Sequence, residues 1–157
     1  MEREINVIMS KISTQKITPY LWYDNQAKEA ATFYCSLFEN SQIISDSDLI
    51  VEFELDGMRL VGLNGGPQFK FTEAVSLLVL CEDQDEVDYF WNAFTQNGGK
   101  ESRCGWCKDK YGFSWQIVPK RFMEMMKTGT PDQVKRVMSV LMPMNKLIVE
   151  EFEKAFN

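Results

Sequence analysis

The chain has 157 residues, of which 45% are hydrophobic, contains no histidine and carries a formal net charge of -6. This length and apolar content predict one domain with a sizeable core, and the acidic balance excludes a protein that binds nucleic acid through phosphate contacts. The longest apolar run, Val75–Cys81, is far shorter than the roughly 20 residues that a membrane helix needs.

The cysteines and the start of the chain indicate where the protein is located. Only Cys104 and Cys107 of the four cysteines are close in sequence, which is not the pattern of a disulfide framework. The first residues, Met1-Glu2-Arg3-Glu4, are too acidic and polar for a secretion signal. We therefore expect a cytoplasmic protein that does not bind membranes. Residues 1–16 have weak periodicity and are predicted to form an N-terminal arm.

The first predicted module spans residues 17–71. Its opening segment, Ile17–Tyr23, is rich in β-branched and aromatic residues, as is typical of a strand. Asp24-Asn25 offers an N-cap for an amphipathic helix, because apolar residues then recur at helical spacing. After this helix the period changes to two, and Asp56-Gly57 predicts a hairpin turn. The order is therefore one strand, one helix and three strands.

The second predicted module, residues 72–119, repeats this order. Val75–Cys81 is typical of a buried strand, and Asp83 and Glu86 have the spacing of a capping box at the start of a helix. A glycine pair ends that helix, and further strands are predicted over Glu101–Lys108 and Phe113–Val118. The two modules together form the predicted domain at residues 17–119.

Residues 120–157 have apolar residues at helical spacing, with Thr130-Pro131 as N-cap and first helical position. They are predicted to be a helical C-terminal extension of the same domain. The fold class is α+β, with paired βαβββ modules followed by this extension. Two such modules would pair their sheets into a cupped surface that encloses a cleft of ligand size.

Three segments of the sequence carry a resemblance to a known family. They are Leu63-Asn64-Gly65-Gly66-Pro67-Gln68-Phe69-Lys70-Phe71, Cys104-Gly105-Trp106 and Gly112-Phe113-Ser114-Trp115-Gln116-Ile117-Val118-Pro119. In these segments the chain resembles the PhnB-like family of the vicinal oxygen chelate superfamily, also called the glyoxalase and bleomycin-resistance superfamily. The resemblance covers Ile17 to Pro119 and implies the paired-module fold.

In metal-using members of this superfamily, the first and last strands of both modules supply the metal ligands. The positions that match in this chain hold Ile17 or Thr18, Val61 or Leu63, Ser76, and Gln116. Only Gln116 could bind a metal, and one neutral amide oxygen cannot hold a catalytic divalent ion. We therefore expect no metal and no cofactor, with a glyoxalase-like or dioxygenase-like metal enzyme as an alternative.

A second alternative is a redox protein, because Cys104-Gly105-Trp106-Cys107 matches the C-x-x-C spacing of thioredoxin-type pairs and of half a zinc site. A structural zinc needs further ligands, and no second C-x-x-C and no histidine are present in the sequence. A redox pair works best at a helix N-terminus, whereas a strand is predicted here. Buried or wall-lining cysteines are the favoured interpretation.

Members of the family are often described as 3-demethylubiquinone-9 3-methyltransferase. A methyl-donor site of the usual kind needs a glycine-rich loop after the first strand of a parallel α/β sheet. Gly65-Gly66 and Gly98-Gly99 are instead predicted to mark a hairpin and the end of a helix. The sequence therefore gives no motif support for methyl transfer.

The favoured hypothesis is a metal-free homodimer that binds a small, partly aromatic or amphipathic molecule in its cleft. Aromatic side chains near the cleft could stack on a flat ligand, and neighbouring polar side chains could orient it. The predicted ligand-binding residues are Trp22, Asn64, Gln68, Phe69, Ser76, Trp106, Trp115 and Gln116. No catalytic residue is assigned.

Overall fold

The computed structural model describes residues 15–157, so nearly all of the predicted N-terminal arm lies outside the described residues. The described chain forms two compact units, divided in the sequence between Phe69 and Lys70. Each unit contains a four-stranded sheet and the predicted succession of strand, helix and three strands. The α+β class with two βαβββ modules and helices after them is therefore confirmed.

Unit one is a mixed sheet with one helix on it. Strand β1 runs parallel to β4, and the remaining pairs of the order β1-β4-β3-β2 are antiparallel. The small buried alanines of α1 let the helix lie close to the sheet, where it contacts β3. The elements are β1 (Tyr20–Tyr23), α1 (Ala27–Leu37), β2 (Gln42–Asp46), β3 (Ile50–Leu55) and β4 (Met58–Asn64).

The predicted cap of α1 is wrong. The N-cap residue is Gln26 rather than Asp24 or Asn25, and its side chain makes no capping hydrogen bond. The side-chain oxygen of Asn64, at the end of β4, accepts from the backbone N–H of Ala27 at 2.9 Å instead. A distant residue therefore satisfies a free donor of the first helical turn, which local spacing alone does not indicate.

Unit two begins with a second sheet of the same topology, in the order β5-β8-β7-β6. Asp83 is the N-cap of α2, as predicted, because its side chain accepts from the backbone N–H of Glu86 at 3.0 Å. The reciprocal half of the predicted capping box is not formed, because the Glu86 side chain accepts from the backbone N–H of Glu82 instead. Phe94 of α2 stacks on Trp115 of β8 with ring centroids 4.3 Å apart. The elements are β5 (Ser76–Cys81), α2 (Gln84–Thr95), β6 (Lys100–Glu101), β7 (Trp106–Lys108) and β8 (Ser114–Pro119).

The segment predicted to be extended over Glu101–Lys108 is interrupted in its middle. A turn over residues 102–105 separates β6 from β7. Cys104 and Gly105 both have positive φ, at 58° and 81°. A strand requires negative φ, so two successive residues of this kind end β6 and redirect the chain into β7.

The C-terminal extension packs three helices around its own apolar cluster. They are α3 (Lys120–Thr128), α4 (Pro131–Leu141) and α5 (Val149–Phe156). Thr130 and Gln133 form a reciprocal capping box at the start of α4, with Pro131 in its first turn, as predicted. Met125, Val137, Leu141, Leu147 and Phe152 are buried in the cluster. Within residues 15–157, no helix is both long and apolar enough to cross a membrane.

Candidate ligand-binding site

In unit one, the structure brings together two of the predicted ligand-binding residues, Trp22 and Phe69. Their rings meet edge to face with centroids 4.9 Å apart, and Phe69 is 62% exposed. The indole N–H of Trp22 donates to the carbonyl of Gly66 at 2.9 Å. A Cβ on Gly65 would lie 2.3 Å from the Trp22 ring, so glycine is required where the turn passes over the indole. Gln68 is exposed nearby in the sequence.

Asn64 has a structural role in unit one. In addition to its bond to Ala27, its side-chain N–H donates to the carbonyl of Asp48 at 2.9 Å. Both ends of the amide are therefore used to hold the end of β4 against the backbone. Its predicted contact with a ligand remains a prediction.

In unit two, the other four predicted residues lie on both faces of the sheet. Trp115 is only 2% exposed, and its indole N–H donates to the carboxylate of Asp109 at 2.8 Å. It is a core residue on the face that carries α2. Gln116 donates from its side-chain nitrogen to the hydroxyl of Ser76 at 2.9 Å. Trp106 lies opposite Gln116 in the β7–β8 register and is half-buried.

A cavity of about 500 Å³ lies in unit two beside Trp106. This volume is within the range of small-molecule sites, roughly 300–1,000 Å³. Strands β6 and β7, the turn between them and the first residue of β8 form its walls. The lining residues are Glu73, Lys100, Glu101, Ser102, Arg103, Cys104, Trp106, Cys107, Lys108 and Ser114.

A row of three polar side chains crosses the cavity wall from strand to strand. Lys100 pairs with Lys108 in the β6–β7 register, and Lys108 pairs with Ser114 in the β7–β8 register. Residues directly opposite in antiparallel strands share a face, and alternation puts Trp115 on the other face with α2. The row therefore lies on the face of the sheet that is opposite to the helix.

The hydroxyl of Ser114 is the most informative group of this row. Ser114 is 0% exposed, and its hydroxyl oxygen has no hydrogen-bond partner among residues 15–157. Buried hydroxyls nearly always have a partner, because leaving one unpaired costs about 1–3 kcal/mol. Ser114 is also one of the residues that line the cavity, so this buried hydroxyl lies beside the cavity without a partner in the described chain.

The charged groups of the cavity differ in how far they are already paired. Lys108 forms an ion pair with Glu73 at 2.6 Å, and its hydrogen bond lowers the pKa of Glu73 below the ordinary value. The carboxylate of Glu101 accepts from the side chains of Trp91 at 3.1 Å and Asn145 at 3.3 Å. Lys100 and Arg103 are exposed and have no ion pair within the described chain.

The C-terminal extension fixes the turn that forms one wall. The backbone N–H groups of Cys104 and Gly105 donate to the carbonyls of Met144 and Asn145, both at 2.8 Å. A Cβ on Gly105 would lie 2.9 Å from the carbonyl oxygen of Ile117, and its φ of 81° also disfavours other residues. The turn is therefore held by the extension on one side and by β8 on the other.

The two cysteines of the C-x-x-C segment lie in different surroundings. Cys107 is 1% exposed on the face that also carries Trp115. Burial, followed by the negative charges of Asp109 and Glu101, raises the pKa of the Cys107 thiol to about 12. The sulfur of Cys104 lies 3.8 Å from the carbonyl oxygen of Leu141 in the extension. The surroundings of Cys107 therefore do not favour the thiolate that disulfide exchange requires.

The positions that match the metal ligands of the superfamily do not fit a metal. Val61 and Leu63 of β4 carry no donor atoms, and the amide nitrogen of Gln116 is directed to Ser76. Within residues 15–157, no group of three or more histidine, cysteine, aspartate or glutamate side chains could hold a metal ion.

The sequence predictions cover three of the residues that line the cavity: Trp106 as a ligand-binding residue, and Cys104 and Cys107 as buried or wall-lining cysteines. Of the eight predicted residues, only Trp106 lines it. Ser114, Lys100 and Arg103 were missed. A signal was available for Ser114, because period-two alternation in β8 puts it on the same face as Gln116. No comparable signal existed for Arg103, whose place depends on the unpredicted turn.

Comparison with known proteins places this geometry in a family. The family described as 3-demethylubiquinone-9 3-methyltransferase matches residues 15–118. The structure of a PhnB protein from Bacillus cereus is similar at a TM-score of 0.63 and 32% identity, over 67% of this chain and 99% of that one. A Pseudomonas aeruginosa protein is similar in fold at a TM-score of 0.55 and 16% identity, over 68% of this chain and 98% of that one. A search of curated proteins gives no match.

Proposed function

Because the chain belongs to the PhnB-like family of the vicinal oxygen chelate superfamily, described as 3-demethylubiquinone-9 3-methyltransferase, we propose that it is a metal-free protein that binds a small, partly aromatic or amphipathic molecule in the cavity of unit two. The observation that carries the proposal is the buried, unpaired hydroxyl of Ser114 at the cavity wall. A ligand that reaches this hydroxyl from the cavity would supply the missing partner.

The aromatic character of the ligand is supported by Trp106. Its half-buried indole lines the cavity on the same strand as Lys108. An indole offers a flat apolar surface on which a ring can stack, and the polar groups beside it can fix the orientation of that ring. A molecule with a flat apolar part and a polar end matches both features.

Methyl transfer, the activity in the family's description, is not part of the proposal. Both sheets are four-stranded and mixed, with one parallel pair each, and neither is a parallel α/β sheet. The Gly65-Gly66 turn accommodates Trp22, and Gly99 lies close to the end of α2. These glycines therefore have packing roles unlike those of a methyl-donor loop.

Nor does the proposal include a redox role for Cys104 and Cys107. The raised pKa keeps the Cys107 thiol protonated near neutral pH.

The alternative of a metal-dependent enzyme has a direct test, which is metal analysis of the purified protein. Stoichiometric, tightly bound nickel, zinc, iron or manganese would contradict the metal-free proposal. The homodimer stays a prediction that sedimentation velocity can measure.

The binding proposal can be tested by blocking the cavity with a bulky side chain. Ser102 is exposed and lines the cavity, so Ser102→Trp fills it without disturbing the core. The probe is the neutral fluorophore N-phenyl-1-naphthylamine, titrated by fluorescence. We expect saturable binding to the unmodified protein and a loss of affinity of about tenfold or more in Ser102→Trp, equivalent to about 1.4 kcal/mol.

The matched control is Ser139→Trp, which adds the same side chain at an exposed position of α4. This variant should bind the probe as the unmodified protein does. Absence of saturable binding in the unmodified protein would contradict the proposal. Equal affinity in Ser102→Trp and Ser139→Trp would show that the probe binds elsewhere, which would also contradict it.

A further inference from the structure

The cavity of unit two has an unbalanced set of charges. Three cations, Lys100, Arg103 and Lys108, line it together with two carboxylates, Glu73 and Glu101. Lys108 neutralises Glu73 at 2.6 Å, whereas both oxygens of Glu101 accept hydrogen bonds from neutral side chains. Lys100 and Arg103, two exposed cations without an ion pair in the described chain, therefore remain at the cavity together with the charge of Glu101, and the lining has an excess of one positive charge.

The two cations are held at the two ends of one short segment. Lys100 begins β6, and Arg103 lies in the turn that follows. The backbone of this turn is fixed, because the N–H of Ser102 donates to the carbonyl of Trp106 at 2.9 Å and the N–H of Trp106 donates to the carbonyl of Arg103 at 3.1 Å. The segment that carries both charges is therefore tied to the strand that carries the indole.

The polar and apolar groups of the cavity are arranged in a definite order. Lys100 stands at the outer end of the cross-strand row, and the buried Ser114 stands at its inner end. Trp106 lies on the strand between them. A ligand that satisfies all three would present an anionic group near the outside, a flat body beside the indole and a polar atom toward the hydroxyl.

We propose that the cavity is selective for a small organic anion, such as an aromatic carboxylate, sulfonate or phosphate, whose acidic group binds Lys100 and Arg103 while its ring lies against Trp106. This inference rests on the proposed function and names the ligand class of the same site. Selectivity for the anion comes from Lys100 and Arg103, which have no ion pair in the described chain, and the stacking surface would also accept a neutral ring.

The test compares two probes that share one ring system and differ in charge. They are 8-anilinonaphthalene-1-sulfonate, which carries a sulfonate, and the neutral N-phenyl-1-naphthylamine. We expect the unmodified protein to bind the anionic probe more tightly than the neutral one. In the double variant Lys100→Gln, Arg103→Gln, the ratio of the affinity for the anionic probe to that for the neutral probe should fall about tenfold. This is the effect of two exposed ion pairs of about 0.7 kcal/mol each. Higher salt should reduce the ratio as well.

The control is the double variant Lys127→Gln, Lys135→Gln, which removes the same net charge at exposed positions of α3 and α4. It should keep the affinity ratio of the unmodified protein. If the neutral probe binds but the ratio is the same in both double variants, the selectivity is overturned and the binding function stands. If the anionic probe still binds Ser102→Trp, the inference is also overturned. If neither probe binds, the proposed function fails, and this inference fails with it.

Discussion

At the scale of single residues, Ser114 and Ser76 lie on adjacent strands and differ in how their hydroxyls are used. Their positions are paired in the β5–β8 register. Ser76 accepts a hydrogen bond from Gln116 at 2.9 Å, whereas the hydroxyl of Ser114 is buried without a partner in the described chain. A buried unpaired hydroxyl lowers stability, so the polar group of Ser114 does not contribute to folding as that of Ser76 does.

This difference predicts opposite effects of the same substitution on the ligand-free protein. Ser114→Ala removes an unpaired polar group, and we expect it to raise the free energy of unfolding by about 1 kcal/mol. Ser76→Ala removes the acceptor of Gln116, and we expect a decrease of about 1 kcal/mol. Urea unfolding followed by circular dichroism measures both. A loss of stability in Ser114→Ala would mean that its hydroxyl is satisfied in solution.

At the scale of elements, one side chain of α2 helps to attach the C-terminal extension. The side-chain N–H of Gln84 donates to the carbonyl of Leu147 at 3.1 Å, and its side-chain oxygen accepts from the backbone N–H of Val149 at 2.8 Å. Ile148, the N-cap residue of α5, makes no side-chain capping bond. Gln84 therefore supplies the cap that the helix itself lacks.

We expect Gln84→Ala to lower the free energy of unfolding by about 1–2 kcal/mol, because it leaves two backbone groups of the extension without partners. Gln96→Ala is the matched control, since Gln96 is an exposed residue at the other end of the same helix. Chemical unfolding measures the stability, and hydrogen exchange at the Val149 amide should accelerate in Gln84→Ala alone. Equal stability of the two variants would contradict this role of Gln84.

The same elements show which parts of the molecule the sequence could predict. Periodicity and capping residues located the helices and most strands, because these signals are local: Asp83 and Thr130 both cap as predicted. The cap of α1 and the turn after Glu101 were missed because they depend on distant groups. Asn64 reaches Ala27 from another strand, and the backbone of Cys104 is held by the carbonyl of Met144.

The candidate site was less predictable than the fold for the same reason. Trp106, which lines the cavity, was predicted by residue type alone, as an aromatic side chain in a family segment. The burial of Ser114 and the absence of a partner for its hydroxyl follow from three-dimensional packing, which no local pattern records. The position of Arg103 at the cavity depends on the positive φ of Cys104, a conformation that is uncommon for a residue other than glycine.

At the scale of the whole molecule, ion pairs between elements make the free energy of unfolding depend on pH. Hydrogen bonds from Lys146 and Arg121 lower the pKa values of Asp88 and Glu153 respectively. The first pair joins α2 to the segment before α5, at 2.7 Å, and the second joins α3 to α5, at 2.5 Å. A carboxyl whose folded pKa is lowered stabilises the fold above its unfolded pKa, and this contribution is lost as pH falls through the folded value.

We therefore expect the melting temperature to fall as the pH is lowered from about 6 to about 3, the range in which these carboxylates gain protons. Arg121→Gln tests the cause, because it removes the partner of Glu153. This variant should melt below the unmodified protein at pH 6, and the difference should narrow toward pH 3, where Glu153 is increasingly protonated in both proteins. Part of the difference in melting temperature should persist at pH 3, because Arg121 also lies 5.4 Å from the ring centroid of Phe156.

The control for this experiment is Lys127→Gln, which removes one exposed positive charge of α3 that has no ion pair in the described chain. Both variants change the net charge equally, so the general effect of charge repulsion at low pH cancels in the comparison. The difference between Lys127→Gln and the unmodified protein should stay nearly constant with pH. If the Arg121→Gln difference is equally constant, the contact with Glu153 does not contribute to stability, and the acid response must come from other carboxylates.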